Sequence, residues 1–446
     1  MKLDEHPTVK QYRAARTSLI DGPPANGLDA DELRRLCLDS GADDVGFVEI
    51  GRPDAAKDRE DILTQLPRAK SLISFVCRMN REPIRSPARS VANVEFHRAG
   101  DHVNDVARKI VASLEQRGIR AVNPAMGFPM EMDRFPGKIW VVSHKTVAVA
   151  AGLGQMGIHR NVIHPKFGNF ILIGTIIIDA EVSRYGQPID YNPCLECKLC
   201  VAACPTGAIG ADGHFDFSAC YTHNYREFMG GFTDWVEQIA SSRTALDYRT
   251  KVSDGESASM WQSLSYGANY KAAYCLAVCP AGEEVIAPFL ANRKTFTADV
   301  VTPLQDKSET IYVVPGSDAE TYTARHFPNK QIKHVGNGLR PATIRGFFEG
   351  LPTTFQRGRA EGLNATYHFT FTGGDTTIAT IVIRNKTLQI HQGHVGTRSL
   401  HVIADSRTWL GVVRKERSLI WALLRRTIRI QGSPDLLIAF GKCFPS

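Results

Sequence analysis

Hydrophobic and polar positions follow helical and strand periods in turn over residues 30 to 180. A helix predicted from Asp31 to Ser40 precedes a strand from Val45 to Ile50, and the apolar run from Ser71 to Cys77 predicts a second, buried strand. From Asp101 to Gln116, apolar residues recur at helical spacing and give one apolar face. The near-continuous apolar run from Phe170 to Ile178 is typical of a strand covered on both faces. These patterns predict an α/β domain.

The pattern changes after residue 190. A cysteine-rich region at 190 to 290 is split by a long insertion from Tyr221 to Tyr274, whose second half is rich in Gly, Ser and aromatic residues without periodicity. Such composition suits a loop laid over a site. After Pro280, the segments IYVVPG, DAETYTARHF and QIKHVG predict a compact strand-helix-strand connector.

A separate module is predicted from Thr366 onward. Alternating strands occupy 367 to 371, 378 to 384, 388 to 391 and 400 to 402, and helices follow at Ser406 to Val413, Ser418 to Leu424 and Pro434 to Phe440. The expected fold class is therefore α/β and α+β in several domains. Their expected boundaries are 1–185, 186–295, 296–342 for the connector, and 343–446.

Composition sets broad limits on function. The 446 residues, 43% hydrophobic and 22% charged, describe an ordinary globular protein with about three domains. No stretch approaches the roughly 18 apolar residues of a membrane span, and the N-terminus lacks the apolar run of an export signal, so we expect a cytoplasmic protein. The net charge of +7 is small for this length, and the basic segment from Arg414 to Arg429 reads as a solvated helix face. Nucleic acid is thus disfavoured as a partner.

The cysteines carry the clearest chemical signal. Cys194, Cys197, Cys200 and Cys204, followed by Pro205, have the C-x2-C-x2-C-x3-C-P spacing of bacterial ferredoxin segments. In such runs the first three thiolates bind one iron-sulfur cluster and the fourth serves a second cluster. The run Cys275-x3-Cys279-Pro280 supplies the second cysteine-proline pair that this scheme requires. The alternative is a structural zinc site. The three scattered cysteines, Cys37, Cys77 and Cys443, do not suggest a disulfide framework.

Three segments in one order resemble a known family. They are SHKTVAVAAGLGQMGIHRNVIHPKFGNF at 143–170, CLECKLCVAACPTGAI at 194–209 and YCLAVCP at 274–280. Residues 30 to 290 thereby resemble the epoxyqueuosine reductases and reductive dehalogenases. The resemblance implies a nitroreductase-like α/β domain that carries a corrinoid, followed by a ferredoxin-like domain with two 4Fe-4S clusters that deliver electrons to the cobalt.

The chain departs from this family at two positions. Ala272 stands where the family has the first cysteine of C-x2-C-x3-C-P. With Cys194, Cys197, Cys200 and Cys279 assigned to the first cluster, only Cys204, Cys220 and Cys275 are left for the second. The second cluster is then a three-iron cluster or takes a ligand other than cysteine, with His223 as candidate and a surface histidine as the alternative interpretation. Where the epoxide-reducing members have an acidic proton donor, ungapped counting reaches Lys138, so that role is not transferred.

Residues 343 to 446 resemble a sterol carrier protein domain, on the segments GLNATYHFTFTGGD, IVIRNKTLQIHQG, ADSRTWLGVV and IRIQGSPDLLIAF. The resemblance implies a small sheet covered by helices around an apolar tunnel for a lipid-like ligand. The alternative is a tunnel filled by the protein's own side chains, with the module serving to form a homodimer.

Gly152, Gly154 and Gly157 also match the G-x-G-x-x-G pattern of dinucleotide sites, with Asp179 about twenty residues on. The pattern requires a helix opening at the third glycine, and the following residues contain Pro165 and Gly168 and lack an apolar stripe. We therefore interpret the glycines as positions where the backbone passes close to a large flat cofactor. His164 is a further candidate for binding this cofactor, within a cluster of cationic and imidazole side chains: His144, Lys145, His159, Arg160 and His164.

These observations give a leading hypothesis. A ferredoxin or flavodoxin donates electrons, which pass through two clusters to a corrinoid beneath residues 143–170, where a small apolar substrate loses a halide or an oxygen. A flavin such as FMN in the same pocket is one alternative. Another is an electron-transfer and lipid-binding adaptor without its own reaction centre. A transfer-RNA substrate is disfavoured, because a lipid-type module stands where the epoxyqueuosine branch continues with a helical RNA-docking region.

Overall fold

The computed structural model describes residues 2–15, 27–53, 58–127 and 140–446. In the first part of the chain a short 3-10 turn, Leu3–Glu5, precedes six helices and six strands. The helices are α1 Pro7–Ala15, α2 Ala30–Asp39, α3 Arg59–Gln65, α4 Arg81–Arg85, α5 Arg89–Gln116 and α6 His144–Ala150. The strands are β1 Asp44–Glu49, β2 Ser71–Arg78, β3 Ala121–Val122, β4 Gln155–Met156, β5 Val162–Ile163 and β6 Ile171–Ile178.

Four of these strands form one sheet in the order β1-β2-β6-β3, and every neighbouring pair is antiparallel. Helices α2 and α5 pack on one face and helices α3 and α6 on the other. Both faces of β6 are therefore covered, as its apolar run predicts, although such burial on both faces is more usual for parallel sheets. The predicted elements between residues 31 and 178 are all confirmed. Helix α5 begins twelve residues earlier than predicted, at Arg89.

The two ends of α5 belong to different cores. Its C-terminal half, including Val103 and Leu114, packs against the sheet. Its N-terminal half, including Phe96, packs with residues of the cysteine-rich region such as Cys200 and Tyr274. One of these two cores thus combines residues from both sides of residue 185. The domain boundaries expected from the sequence remain predictions.

The cysteine-rich region is helical. Its helices are α7 Leu199–Ala203, α8 Phe217–His223, α9 Gly230–Ala240, α10 Ala245–Lys251, α11 Asp254–Tyr266, α12 Tyr274–Ala277, α13 Ala287–Ala291, α14 Arg293–Phe296 and α15 Thr302–Asp306, with a π-helical turn at Thr297–Val301.

The prediction of an irregular loop in the second half of the insertion is wrong, because most of it forms helix α11. The helix begins at a capping box, in which Ser253 accepts from the backbone N–H of Glu256 while the Glu256 carboxylate accepts from the backbone N–H of Ser253. This Ser-x-x-Glu signal is local and does not depend on hydrophobic periodicity.

The connector matches its prediction as strand, helix and strand. Strand β7 Thr310–Val313 and strand β8 Gln331–His334 pair in parallel, and helix α16 Asp318–His326 joins them.

The C-terminal module is a five-stranded sheet with helices packed on it. Its helices are α17 Ile344–Thr354, α18 Ser406–Val413, α19 Leu419–Leu424 and α20 Pro434–Cys443, and its strands are β9 Ala365–Thr372, β10 Ile378–Arg384, β11 Thr387–Gln392, β12 Leu400–Asp405 and β13 Ile428–Gln431, in the order β11-β10-β9-β12-β13. The predicted strands and helices are confirmed, whereas α17 and β13 were not predicted.

Aromatic rings fill the space between this sheet and its helices. Phe369 is fully buried and lies 5.4 Å from the ring of Trp409, 5.5 Å from that of Phe440 and 6.4 Å from that of Phe347, centroid to centroid. The packing fits the interpretation in which the protein's own side chains occupy the expected tunnel, and lipid binding stays a prediction.

Among the described residues, no helix combines the length and the hydropathy needed to cross a bilayer.

Candidate metal centre

Four cysteines from two distant segments line one cavity. Cys194, Cys197 and Cys200 come from the loop that leads into α7, and Cys279 follows α12; together they border one small cavity. Two non-glycine residues of the loop, Glu196 and Lys198, have left-handed backbone conformations with φ of 48° and 61°. This winding lets three thiols spaced by two residues turn toward one centre.

Burial governs the protonation of these thiols. It raises the pKa of Cys279 to about 12, with a smaller opposing contribution from the backbone N–H of Ala281. It also raises the pKa of Cys197 and Cys200. Without metal such thiols are protonated at neutral pH, so ligation must displace their protons.

The cavity suits a cluster better than a single ion. Among the residues that the structure describes, no group of three or more His, Cys, Asp or Glu side chains is arranged to hold one metal ion. Tetrahedral zinc with bonds of about 2.3 Å draws its sulfurs to within about 3.8 Å of each other. In an iron-sulfur cube each thiolate binds its own iron, and the sulfurs stand farther apart. Four cysteines around an open cavity therefore favour the cluster over the zinc alternative.

A second group consists of Cys204 at the end of α7, Cys220 in α8 and Cys275 in α12. Cys204 and Cys220 each lie close enough to Cys275 to interact electrostatically. Burial raises the pKa of Cys275 to about 12 and also raises that of Cys220. By accessible area Cys220 and Cys275 are only half-buried. Burial is nonetheless the largest cause of both pKa shifts.

The two groups are neighbours. Cys200 of the first group interacts electrostatically with Cys275 of the second, and helices α7 and α12 pack together. The sets of four and three cysteines expected from the sequence stay a prediction, which the lining of one cavity by Cys194, Cys197, Cys200 and Cys279 supports.

Polar side chains from the 143–170 segment reach the second group. The Asn161 side-chain amide donates from Nδ2 to Cys275 Sγ at 3.9 Å. Its Oδ1 accepts from Lys145 Nζ at 2.9 Å, and the same ammonium donates to Arg160 O at 2.8 Å. Burial lowers the pKa of Lys145, and the nearby Cys275 and Cys220 oppose this shift. The residue as a whole is exposed, and these two hydrogen bonds hold its ammonium beside the second group.

Ala272 supplies no fourth ligand to this group, and His223 as that ligand stays a prediction. Ala272 is buried in the apolar core, and its backbone N–H donates to Asn224 Oδ1 at 3.0 Å. His223 is 1% exposed, so it is not a surface histidine. Its Nδ1 accepts from the backbone N–H of Tyr312, and burial lowers its pKa to about 3, with Glu309 the next influence. Its Nε2 is buried and has no hydrogen-bond partner among the described residues.

The three glycines of the 152–157 pattern pack against protein. A Cβ at Gly152 would lie 2.4 Å from Gln187 O, and one at Gly154 would lie 2.3 Å from Ile163 O. A Cβ at Gly157 would meet the His159 ring at 2.8 Å. Close approach does require glycine here, but the approaching groups belong to the chain itself. The interpretation that these glycines approach a flat cofactor gains no support from this geometry.

His164 is fully engaged within the protein. Its Nδ1 accepts from the backbone N–H of Lys166 at 3.1 Å, so its Nε2 carries the proton and donates to Asp44 Oδ2 at 3.0 Å. Its ring stacks on Phe167 with 4.6 Å between centroids. The histidine thus anchors the 164–168 turn to the start of β1, and its role in cofactor binding stays a prediction.

Two other histidines of this segment are buried. His144 Nδ1 lies 2.9 Å from Thr175 Oγ1 and its Nε2 lies 2.9 Å from Ala125 O. His159 lines the first cavity, and burial lowers its pKa to about 4. Lys138, the position compared with an acidic donor, falls in 128–139, outside the described residues.

Comparison with known proteins agrees with this assignment. Residues 188–210 match the family model for the 4Fe-4S binding domain. An epoxyqueuosine reductase from Cellulophaga algicola is 34% identical over 176 residues, which take in 38% of this chain and 54% of that protein. Further matching proteins carry the same name. The chain is a relative of the epoxyqueuosine reductases. It spans about half the length of the relative just named.

Solved structures align more loosely. A catabolic reductive dehalogenase aligns with a TM-score of 0.37 and 15% identity over 61% of this chain and 34% of that chain. An epoxyqueuosine reductase with a tRNA-Tyr epoxyqueuosine-modified tRNA stem loop aligns with a TM-score of 0.34 and 16% identity over 74% of this chain and 86% of that chain. Overlays at these TM-scores do not establish a shared architecture.

In this relative of the epoxyqueuosine reductases, sequence reasoning missed two kinds of residue near the cysteines. Asn161 lies inside the quoted 143–170 segment, but nothing in a single sequence marks it as a donor to sulfur. The others are Arg85 and Arg89, which lie near the cysteines and are among the most deeply buried cations of the described chain. The sequence around them contains no motif. Their positions follow from the contact of α4 with α12, which only the folded chain brings together.

Proposed function

We propose that this chain is an iron-sulfur oxidoreductase with two clusters. Cys194, Cys197, Cys200 and Cys279 are the ligands of a 4Fe-4S cluster, and a second cluster takes Cys204, Cys220 and Cys275. The observation that carries the proposal is the single cavity lined by four cysteines from segments about eighty residues apart in the chain. Bound there, the clusters supply one-electron transfer.

The second centre has three thiols. Ala272 removes the cysteine that would complete the set, whereas His223, whose Nδ1 accepts from the backbone N–H of Tyr312, keeps a buried Nε2 without a partner among the described residues. A three-iron cluster, or a cluster that takes a ligand other than cysteine, agrees with this composition.

Two exposed residues mark where a donor can approach. Leu195 and Tyr191, beside the first group, are 43% and 53% exposed, although Cys200 and Cys279 of that group are themselves buried. A protein donor such as a ferredoxin or flavodoxin can approach the first group, and the second group lies nearer the segment with Lys145 and Asn161.

The group that finally reacts is a separate question. A corrinoid or a flavin needs a binding cavity with free space and free polar groups. Backbone carbonyls pack directly against Gly152 and Gly154, and both ring nitrogens of His164 already have hydrogen-bond partners within the protein. The described residues at 152–164 therefore do not fit either group, and we derive no step through it. Reduction of a small apolar substrate by dehalogenation or deoxygenation remains our proposal from the sequence resemblance alone.

Metal analysis of protein purified and reconstituted without oxygen tests the proposal. We expect roughly seven or eight iron atoms per chain, from one four-iron and one three- or four-iron cluster. Cys279→Ala should lose the iron of the first cluster and Cys204→Ala that of the second. Cys77→Ala, a buried cysteine in the sheet, is the matched control and should keep all of it. Stoichiometric zinc in place of iron would overturn the proposal.

A second candidate function is reduction of a modified nucleoside in RNA, which the name of the relatives favours. This would reverse the sequence-based expectation that nucleic acid is not a partner. The exposed basic side chains between Arg414 and Arg429 would then contact phosphates. Salt-dependent binding of bulk transfer RNA, weakened in Arg425→Gln, would support this candidate. Equal affinity for RNA in wild type and variant would count against it.

A further inference from the structure

Two buried arginines stand beside the two cysteine groups with unused hydrogen-bond donors. Arg85, at the end of α4, has a side chain only 10% exposed, and Arg89, at the start of α5, is 7% exposed. Within the described part of the chain, Nε and Nη2 of both side chains have no hydrogen-bond partner. Buried guanidinium groups normally use their donors, because an unpaired buried charge is costly.

The protein compensates neither charge fully. Arg85 pairs only with Glu82, at 3.5 Å, and that carboxylate is 81% exposed. Arg89 donates to the backbone carbonyls of Ile84 and Ser86 at 3.1 and 3.0 Å. The nearest acidic influence on Arg89 is Glu309, which is already neutralised by Lys307 and Lys330, each at 2.9 Å. Both sites therefore retain excess positive charge.

Each arginine faces a different cysteine group. The Arg85 guanidinium lies over the rings of Phe170 and Phe296, at 5.3 and 5.4 Å, and interacts electrostatically with Cys279. The Arg89 guanidinium lies 5.3 Å from the ring of Tyr274, the residue before Cys275, and interacts with Cys275. Helix α4 packs directly on α12, which carries Cys275. The arrangement supplies one uncompensated cation per group.

We propose that Arg85 and Arg89 set the reduction potentials of the first and the second cluster, respectively. The inference rests on the proposed two-cluster function. A cluster with its thiolates is anionic and gains one further negative charge when it accepts one electron from a low-potential donor, with no proton required. A buried cation stabilises the reduced form more than the oxidised form, because the attraction grows with the charge on the cluster. Both arginines thus act on a cluster through their charge, and neither is a ligand.

Two further polar groups lie near the cysteines of the second cluster. Lys145 adds a second positive charge near Cys220 and Cys275, and Asn161 donates a hydrogen bond to the Cys275 sulfur. Hydrogen bonds to sulfur and nearby positive charge both raise the potential of an iron-sulfur centre. Both groups therefore act on the potential of the second cluster in the same direction as Arg89.

Redox titration followed by EPR tests the inference on the full-length, reconstituted protein, with dithionite as the reductant. Arg89→Gln should lower the potential of the second cluster only, and Arg85→Gln that of the first cluster only. Removal of a buried charge beside a cluster should change the ratio of reduced to oxidised cluster by about tenfold, which is 59 mV for a one-electron couple. The Cys279→Ala and Cys204→Ala variants assign each signal to its cluster.

Arg98→Gln is the matched control. Arg98 lies on the same helix α5 as Arg89 but is 81% exposed and pairs with Asp101, so its loss should move neither potential. Arg89→Lys keeps the charge and should keep the wild-type potential. If Arg89→Gln fails to assemble the second cluster, assembly and wild-type potential in Arg89→Lys still support a role for the charge.

The possible failures are distinguishable. Wild-type protein without clusters would overturn the proposed function itself. Two clusters whose potentials are unchanged in both Gln variants, or shift equally in both clusters whichever arginine is replaced, would overturn the assignment of one arginine to each cluster. A potential in Arg89→Lys as low as that in Arg89→Gln would show that charge is not the cause.

Discussion

The side-chain amide of Asn161 links Lys145 to Cys275: its oxygen accepts from the ammonium at 2.9 Å and its nitrogen donates to the sulfur at 3.9 Å. The α/β part of the chain thereby reaches a proposed cluster ligand through one side chain. A donor to sulfur disperses charge from a ligating thiolate, and it is worth most where water is excluded.

Replacing Asn161 should affect the second cluster alone. Asn161→Ala removes the donor to Cys275 and releases Lys145, so we expect a lower reduction potential and faster loss of iron from this cluster. EPR-monitored titration and the rate of iron release to a chelator measure the two effects. Asn192→Ala, which removes the acceptor for the backbone N–H of Cys194, is the control on the other group and should leave the second signal unchanged. An unaltered second signal in Asn161→Ala would contradict the expectation.

A second prediction concerns the contact between Gly168 and the segment after Cys279. Gly168 has φ of +66°, and a Cβ there would lie 2.1 Å from Ala281 O, two residues beyond the proposed ligand. Gly168→Ala should therefore destabilise the protein and displace Cys279, with loss of iron from the first cluster. The backbone conformation alone costs roughly 1–2 kcal/mol, and the clash adds to this.

Gly213→Ala separates these two contributions. Gly213 has φ of +82°, but a Cβ there would meet nothing within 4 Å. This control should show only the conformational cost of roughly 1–2 kcal/mol and keep its iron. Urea unfolding and iron analysis of both variants provide the comparison. Equal destabilisation of the two proteins would mean that the segment at Ala281 moves aside without a loss of stability.

Spacing predicts the cysteine sets because a cluster imposes its geometry on the chain: three thiols two residues apart, with a distant fourth. The structure brings that distant cysteine, Cys279, to the same cavity as Cys194, Cys197 and Cys200. The same reasoning could not find Arg85, because its importance depends on helix α4 meeting α12, a contact between residues some 190 positions apart. The glycines at 152 and 154 were recognised as close approaches, but sequence does not say what approaches. Helix α11 was missed because its periodicity is weak, although the Ser253 capping box marked its start.

Buried histidine makes the fold sensitive to acid. Burial lowers the pKa of His223 to about 3, below the value of about 6.5 expected in the unfolded chain. Between these values the unfolded chain binds the proton and the folded protein does not, so stability is complete above about pH 6.5 and falls as the pH drops toward 3. At pH 5 the loss from this residue is of the order of 2 kcal/mol.

Urea unfolding at pH 7.5 and pH 5 measures this loss. His223→Gln should be less stable than wild type at pH 7.5, since it disturbs the packing against Tyr312, but its stability should fall less between the two pH values. His326→Gln, at the exposed end of α16, should retain the wild-type difference. A difference in His223→Gln as large as that of wild type would exclude His223 as the source.

The last prediction tests whether the C-terminal module is filled or hollow. Phe369 is fully buried on the central strand β9, with the rings of Trp409 and Phe440 within 5.5 Å, centroid to centroid. If these side chains occupy the space where a carrier would hold lipid, the wild-type protein should not bind a fluorescent fatty acid.

Phe369→Ala should lose about 3–5 kcal/mol of stability and leave an apolar cavity. An apolar cavity of this kind stays dry and accepts small hydrophobic molecules, so the variant should gain a weak site for benzene or xenon. Phe348, half-buried beside the same cluster, provides the control, and Phe348→Ala should be milder in both respects. Tight binding of the fatty acid by wild type would instead mean that the aromatic side chains move aside, and the module would then be a carrier after all.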